Sequence, residues 1–200
     1  MNRTQNDQEI AEQRVIAELL EGSEVLRQTA HCLASDIVIV AEHIINVLRA
    51  GGKILICGNG GSAADSQHFA AELVGRFRRT RPSWAAIALT VDASILTSLG
   101  NDFGFEHIFA RQVQALGRPG DILIAISTSG SSKNVLAAVD VATTIGMVTV
   151  GMTGKNASKL GAKVKFHLPI PSANTAFIQQ GHMAVIHTLC ELIEERLTSS

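Results

Sequence analysis

The chain has no tyrosine, one tryptophan (Trp84), four prolines and three cysteines among its 200 residues. Aromatic residues make up only 4% of it, which leaves few rings on which nucleic-acid bases could stack. Charge of either sign is scarce: 17 Lys and Arg stand against 18 Asp and Glu, for a net charge of −1. Binding to a phosphate backbone usually needs a basic excess, so this balance argues against nucleic acid as a partner. Cys32, Cys57 and Cys190 are odd in number, widely spaced and form no Cys-x-x-Cys pattern. They read as buried or free thiols of a reducing cytoplasm, not as a disulfide framework. Long hydrophobic runs are missing as well. No uninterrupted apolar stretch approaches the ~20 residues that cross a bilayer, so no membrane partner is expected. The polar start Met1–Asp7 lacks the apolar region of a signal peptide.

What remains is a chain that is 46% hydrophobic and only 18% charged, with a mean hydropathy of +0.22. That composition fits either surface hidden in an oligomer or one large core. Two hundred residues suffice for one domain and are few for two.

The first fifty residues are helical in pattern. Ile10, Val15, Leu19 and Leu20 recur at helical spacing. A second helix is expected from about Ser23 to Leu48, with Leu26, Ala30, Leu33, Ile37, Val40, Ile44 and Val47 on its apolar side. Ala50-Gly51-Gly52 ends it as a glycine C-cap. Strands are then expected at 53–57, 85–89, 121–126, 148–152 and 163–169. Helices fall between and after them, at 63–79, 92–99, 106–116 and 132–145, briefly near Ser158, and at 175–196. The strand segments are continuous apolar runs, as when both faces of a parallel sheet are covered. The pattern predicts an α/β fold: a doubly wound five-stranded parallel sheet flanked by helices, with an N-terminal helical extension. Residues 1–50 are assigned to oligomerisation within the same domain, and residues 51–200 to the sheet and its helices.

Two loops stand out. Cys57-Gly58-Asn59-Gly60-Gly61-Ser62 and Ser127-Thr128-Ser129-Gly130-Ser131-Ser132 each join a strand to a helix. Their backbone N–H groups and hydroxyls can converge on an anion at a helix N-terminus, where the helix dipole also favours negative charge. A pair of such loops points to a small phosphorylated metabolite. The first loop also fits a loose dinucleotide fingerprint through Gly58, Gly60 and Ala63. No acidic residue ends the second strand near the expected offset, which argues against a nucleotide cofactor.

Behind the first loop, His68 and Glu72 lie four residues apart and share one helix face. Such a pair suits two ligands of one metal or an acid/base couple, yet is also common as a plain polar helix surface. Arg76, one turn on, could simply pair with Glu72. The last helix carries Gln179, His182 and His187. Gln179 and His187 are separated by about 12 Å of helix, so they could meet one ion only by reaching toward each other. The spacing does not choose between His182 and His187. Asn101-Asp102-Phe103-Gly104 reads locally as a turn.

Together these strings resemble the sugar isomerase (SIS) domain family, and within it the phosphoheptose isomerases. The resemblance is carried by Gly51-Gly52-Lys53, by residues 57–62, and by His68-Phe69-Ala70-Ala71-Glu72-Leu73. It extends through Gly100-Asn101-Asp102-Phe103-Gly104, Ser127-Thr128-Ser129-Gly130, Thr153-Gly154-Lys155, Ile178-Gln179 and Val185-Ile186-His187. It implies a cytoplasmic homotetramer with active sites between subunits, which interconverts sedoheptulose 7-phosphate and D-glycero-D-manno-heptose 7-phosphate. Glu72 and His187 would be the catalytic acid and base. His68, Glu72, Gln179 and His187 would bind one zinc ion per subunit. The sugar phosphate would rest on Asn59, Gly60, Gly61, Ser62, Glu72, Asn101, Asp102, Ser127, Thr128, Ser129, Ser132 and Gln179. The pathway would be that of ADP-heptose for the lipopolysaccharide core.

Some positions depart from that family's pattern. Phe177 and Gln180 stand where Arg and Glu are common, Gly181 is expected to interrupt the start of the last helix, and Ala71 replaces an acid found in some members. The alternative is a non-enzymatic SIS protein that binds the bacterial replication initiator. Such proteins resemble the isomerases but lack the equivalents of Glu72 and His187.

Overall fold

The computed structural model describes residues 2–156 and 159–199. The apolar runs form five strands: β1 Ile54–Gly58, β2 Ala86–Ala88, β3 Ile122–Ile126, β4 Val148–Gly154 and β5 Phe166–Ile170. They pair in parallel in the order β2-β1-β3-β4-β5. The helices are α1 Asn2–Arg49, α2 Gly61–Val74, α3 Ala93–Phe103, α4 Ala110–Leu116, α5 Lys133–Ile145 and α6 Thr175–Thr198.

Every residue of β1 and β3 is buried, because helices cover both faces and leave no side for polar residues. Ile54, Ile56, Ile122, Ile124 and Ile126 pack with Ile44 of α1, Phe69 of α2 and Ile186 of α6. The intervening Leu55, Cys57, Leu123 and Ala125 pack with Val113 of α4 and with Val135 and Val139 of α5. Burial pushes the Cys57 thiol up to about 12, so it packs as a small apolar group and is not a nucleophile.

The strand order reverses between β1 and β3, and in open α/β sheets ligands bind outside the carboxyl ends of strands at such a switch point. Both small-residue loops follow those two strands.

Several elements differ from expectation. The two N-terminal helices are one helix of 48 residues. Gly22 does not break it, because α6 packs there: a Cβ on Gly22 would fall 2.6 Å from Gln180 Oε1 and 3.5 Å from the Phe177 ring. Continuous, α1 is by length and composition able to cross a membrane. Its C-terminal half turns an apolar side to the core, with Leu33, Ile37, Val40, Ala41, Ile44 and Ile45 all buried, while Ile10, Val15, Ile16, Leu19 and Leu20 in the N-terminal half are exposed. The helix after β1 stops at Val74 rather than continuing to 79. The segment 106–116 divides into a 3₁₀ turn, Phe105–His107, and α4. β5 begins at Phe166, three residues late, because 159–163 form turns. The centre of the short helix near Ser158 lies outside the described residues. Gly181 does not interrupt α6. It lets the helix lie close on β5, where a Cβ would sit 2.6 Å from Ile170 Cγ2.

Candidate active site

Helix α2 leaves the end of β1 and carries His68 and Glu72 one turn apart, on the side that meets α6. Helix α6 brings His187 opposite them. His187 Nε2 lies 2.9 Å from His68 Nε2, and His68 Nε2 lies 3.2 Å from Glu72 Oε1. The imidazoles meet edge to face, with centroids 5.1 Å apart. On its other side the His187 ring packs on Phe77, centroid to centroid 5.6 Å. One ligand atom from each of His68, Glu72 and His187 falls within 4.8 Å of the other two.

That set fits a metal ion. Two nitrogens bound tetrahedrally at about 2.0–2.1 Å stand roughly 3.3 Å apart, so the imidazoles would separate by only a few tenths of an ångström. A hard-to-soft borderline ion such as zinc suits two imidazoles and a carboxylate. Gln179 lies nearer the first loop, pressed against Gly61, where a Cβ would come 2.0 Å from its Nε2. Glycine at 61 therefore clears the space that the Gln179 amide occupies. Arg76 is exposed and forms no ion pair with Glu72, whose partner is His68.

His182 does not compete with His187. It points to the sheet, fully buried, with Nε2 3.2 Å from the Thr153 carbonyl. Burial pushes it down to about 4, against the opposing effect of that hydrogen bond, so it is neutral at pH 7.

The two loops lie side by side at the switch point. Gly60 precedes α2 with φ +56°, a conformation natural to glycine. Gly130 turns the second loop with φ +62°. In that loop the Ser127 hydroxyl bonds to Ser132 Oγ at 3.0 Å, and Ser131 Oγ donates to Ser129 Oγ at 3.0 Å. Gly154 N–H holds the Thr128 carbonyl at 3.0 Å, tying the loop to the end of β4. Neither α2 nor α5 has a side-chain N-cap, whereas Asp92 caps α3 and Asn174 caps α6. The two helix starts that face the cleft thus carry no side-chain cap that would compete with an anion, and the seven-residue α4 is uncapped as well. A cleft of about 470 Å³ opens here, lined by Asn59, Gly104, Phe105, Ser132, Lys133 and Asn134 among others.

Asn101 and Asp102 sit exposed on the last turn of α3 and bond to each other, Nδ2 to Oδ1, at 2.8 Å. No hydrogen bond joins them to either loop among the described residues.

Two residues of the site escaped sequence reasoning. Asn134 is buried and exchanges amide hydrogen bonds of 2.9 and 2.8 Å with Asn59, which locks the two loops together. Its only signal was a polar residue at the second position of a helix, just ahead of an apolar run. Asp65 lies on α2 with Oδ2 buried and unpartnered, and desolvation pushes its carboxyl up to about 6 against the pull of His68. Its position one turn before His68 was the available hint.

The chain, from residue 20 to 154, matches the SIS domain family model. It is 53% identical over 183 residues to a phosphoheptose isomerase of Roseiflexus sp. (strain RS-1), covering 92% of this chain and 93% of that one. It is 48% identical over 189 residues to that of Methylibium petroleiphilum, covering 93% and 94%. The solved structure of the Neisseria gonorrhoeae phosphoheptose isomerase superposes with a TM-score of 0.88 at 44% identity, over 92% of this chain and 99% of that one. With a family-model match over residues 20–154, this degree of identity along nearly the whole length and a superposition of this quality, the chain belongs to the phosphoheptose isomerases of the SIS domain family, aldose–ketose isomerases of sugar phosphates.

Proposed function

We propose that the protein interconverts sedoheptulose 7-phosphate and D-glycero-D-manno-heptose 7-phosphate, with Glu72 and His187 as its acid/base pair. The observation that carries this reading is the meeting of His68, Glu72 and His187 across α2 and α6. The reaction moves a proton between adjacent carbons through an enediol(ate), which requires a base at carbon and an acid at the carbonyl oxygen. Glu72 and His187 are the two groups that differ chemically enough to divide those tasks, and both touch His68. The phosphate rests on the hydroxyls and N–H groups of Ser127, Thr128, Ser129 and Ser132, and the sugar extends past Asn59, Gly60, Gly61 and Ser62 toward Gln179. Asn101 and Asp102 complete the contacts to the sugar. Remote binding of the phosphate orients the reacting carbons and holds them where the acid and base can act. Zinc held by His68, Glu72, Gln179 and His187 would supply Lewis-acid stabilisation of negative charge on the oxygens.

The active form is a cytoplasmic homotetramer, with residues 1–50 joining copies and 51–200 forming the catalytic unit. Ile10, Val15, Ile16, Leu19 and Leu20 support this, since each is at least half exposed on α1 and a row of that kind needs a cover. The product enters ADP-heptose and lipopolysaccharide core synthesis. An initiator-binding role has no need of the acid/base pair that the chain retains.

The test is isomerisation of sedoheptulose 7-phosphate by the purified protein after chelation, with and without added zinc, alongside Glu72→Gln. Turnover restored by zinc and abolished in Glu72→Gln is expected. A Glu72→Gln protein with near-normal turnover would rule out the acid/base assignment, and no turnover under any condition would favour the initiator-binding role.

A further inference from the structure

Beyond the reacting groups, the segment that follows α2 is joined to α6 by a buried ion pair. Arg81 Nε lies 3.2 Å from Glu194 Oε1, and both side chains are only 2% exposed. The rest of the Arg81 fork closes the C-terminal end of α2. Nη2 donates to the Glu72 carbonyl at 2.6 Å, and Nη1 to the Leu73 carbonyl at 2.7 Å and the Gly75 carbonyl at 3.2 Å. A cation there also answers the negative end of the helix dipole. The guanidinium is stacked on Trp84 at 3.6 Å, which fixes its plane.

Glu194, on α6 seven residues beyond His187, accepts three backbone hydrogen bonds. Phe77 N–H donates at 3.1 Å, Arg78 N–H at 2.7 Å and Arg79 N–H at 2.8 Å. Desolvation alone would raise its carboxyl; the three N–H groups and Arg81 outweigh it and hold it below the usual range. The segment it grips carries Phe77, whose ring packs on His187. One end of the pair therefore reaches the backbone of Glu72, and the other reaches the ring of His187 through Phe77.

A buried pair of this sort is poor value as mere stabilisation, because desolvation offsets most of the attraction and a packed apolar pair would serve as well. Its geometry suits a different task. We propose that Arg81 and Glu194 are positioning residues: their ion pair clamps the C-terminal end of α2 to α6 and sets the separation of Glu72 and His187. This rests on the acid/base reading above. Proton transfer demands placement within a fraction of an ångström, and a 1 Å error costs about 10²-fold in rate.

The test uses Arg81→Lys, which keeps the charge and loses the fork, and Glu194→Gln, which keeps the shape and loses the charge. Phe77→Leu removes the ring on His187 and leaves the ion pair alone. Val139→Ala, on the core-facing side of α5, controls for lost stability. For each, kcat, KM, Tm and zinc affinity against a chelator without substrate are measured on the full-length protein. The clamp predicts that kcat falls about 10–100-fold in Arg81→Lys and Glu194→Gln. KM should stay within about threefold, because the phosphate loops are held by other contacts, and zinc affinity should fall roughly 10-fold. Val139→Ala should lose Tm and keep kcat. If folded Arg81→Lys or Glu194→Gln protein keeps kcat within twofold of the parent, or loses only KM, the clamp is refuted. If both ion-pair variants fail to fold, Phe77→Leu decides: a lowered kcat at near-parent Tm supports the clamp and an unchanged kcat refutes it. An active Glu72→Gln protein would instead refute the acid/base reading, and zinc affinity would still report on the clamp.

Discussion

Acid should destabilise this protein through His182 in particular, and the size of the effect follows from its burial. The ring is fully buried between α6 and the end of β4, and Nδ1 has no partner among the described residues. Nε2 bonds to the Thr153 carbonyl at 3.2 Å, which requires the proton on Nε2. Burial lowers the folded-state pKa from 6.5 to about 4. The unfolded chain thus binds a proton that the folded chain refuses, so stability is full above the unfolded value and is lost as pH falls toward 4. At pH 5 the loss amounts to about 2 kcal/mol, and it approaches about 3 kcal/mol at pH 4. For a chain of this length that is a drop of roughly 4–12 °C in Tm. Asp65 acts in the opposite sense: its raised pKa means that protonation below about 6 relieves a desolvated charge. A single curve of stability against pH therefore mixes the two. Comparison with His182→Gln separates them, because glutamine can still donate to the Thr153 carbonyl and does not titrate. Urea unfolding of both proteins at pH 7 and pH 5 is the assay. The parent should lose about 2 kcal/mol more than the variant across that interval. Parallel losses would refute the placement of His182 as a buried neutral imidazole.

The phosphate loop and the helix starts make sharper targets. Ser129→Ala removes one hydroxyl contact worth about 0.5–1.5 kcal/mol, so KM for the sugar phosphate should rise several-fold with kcat retained; a loss confined to kcat would contradict the loop's role. Gly61→Ala puts a methyl where the Gln179 amide lies. It should weaken zinc binding in a chelator competition while leaving Tm close to the parent's, and unaltered affinity would place Gln179 outside the metal set. Ser132→Asp offers α5 the side-chain cap it lacks and adds a negative charge beside the cleft. The new cap, worth at most about 1 kcal/mol, is offset in part by the lost bond to Ser127, so Tm should stay close to the parent's or rise slightly while substrate binding collapses; tight binding in that variant would exclude phosphate from the α5 N-terminus.

Much of the fold is legible in the sequence because its cause is local. Ile54–Gly58 and Ile122–Ile126 are apolar at nearly every position, which only a sheet covered on both faces permits. The two loops show as glycine and serine clusters between a strand and a helix, and His68 with Glu72 shows as one helix face. Meetings across the chain do not show. His187 looks like a core histidine until α6 is laid against α2, and His182 looks equally eligible until it is seen facing the sheet. Asn134, Arg81 and Glu194 act through partners 75 to 117 residues away, and no spacing rule reaches that far. The pattern divides α1 near Ser23, just after Gly22, and marks Gly181 as an interruption, since glycine is a weak helix former. In the structure each is the point where α6 comes close to another element, and packing overrides propensity.

The helix caps show how the site is built into the economy of the fold. A serine already stands at the N-cap of α5, yet Ser132 Oγ turns to Ser127 instead of to the helix N–H groups. Asn134 Oδ1 accepts from Val135 N–H at 2.9 Å and from the Asn59 amide at 2.9 Å, so one N–H is answered by a residue that also braces the loops. At α2 the first turn closes on the Asn59 and Gly60 carbonyls, with no side chain at its tip. A missing cap costs about 1 kcal/mol, and here it recurs at the two neighbouring strands where the sheet reverses. Elsewhere α3 and α6 are capped by Asp92 and Asn174, while the seven-residue α4 also starts without a side-chain cap. Two helix starts that share one cleft thus lack a side-chain cap, and an anionic group of the substrate has the charge and the hydrogen-bond acceptors that suit such ends.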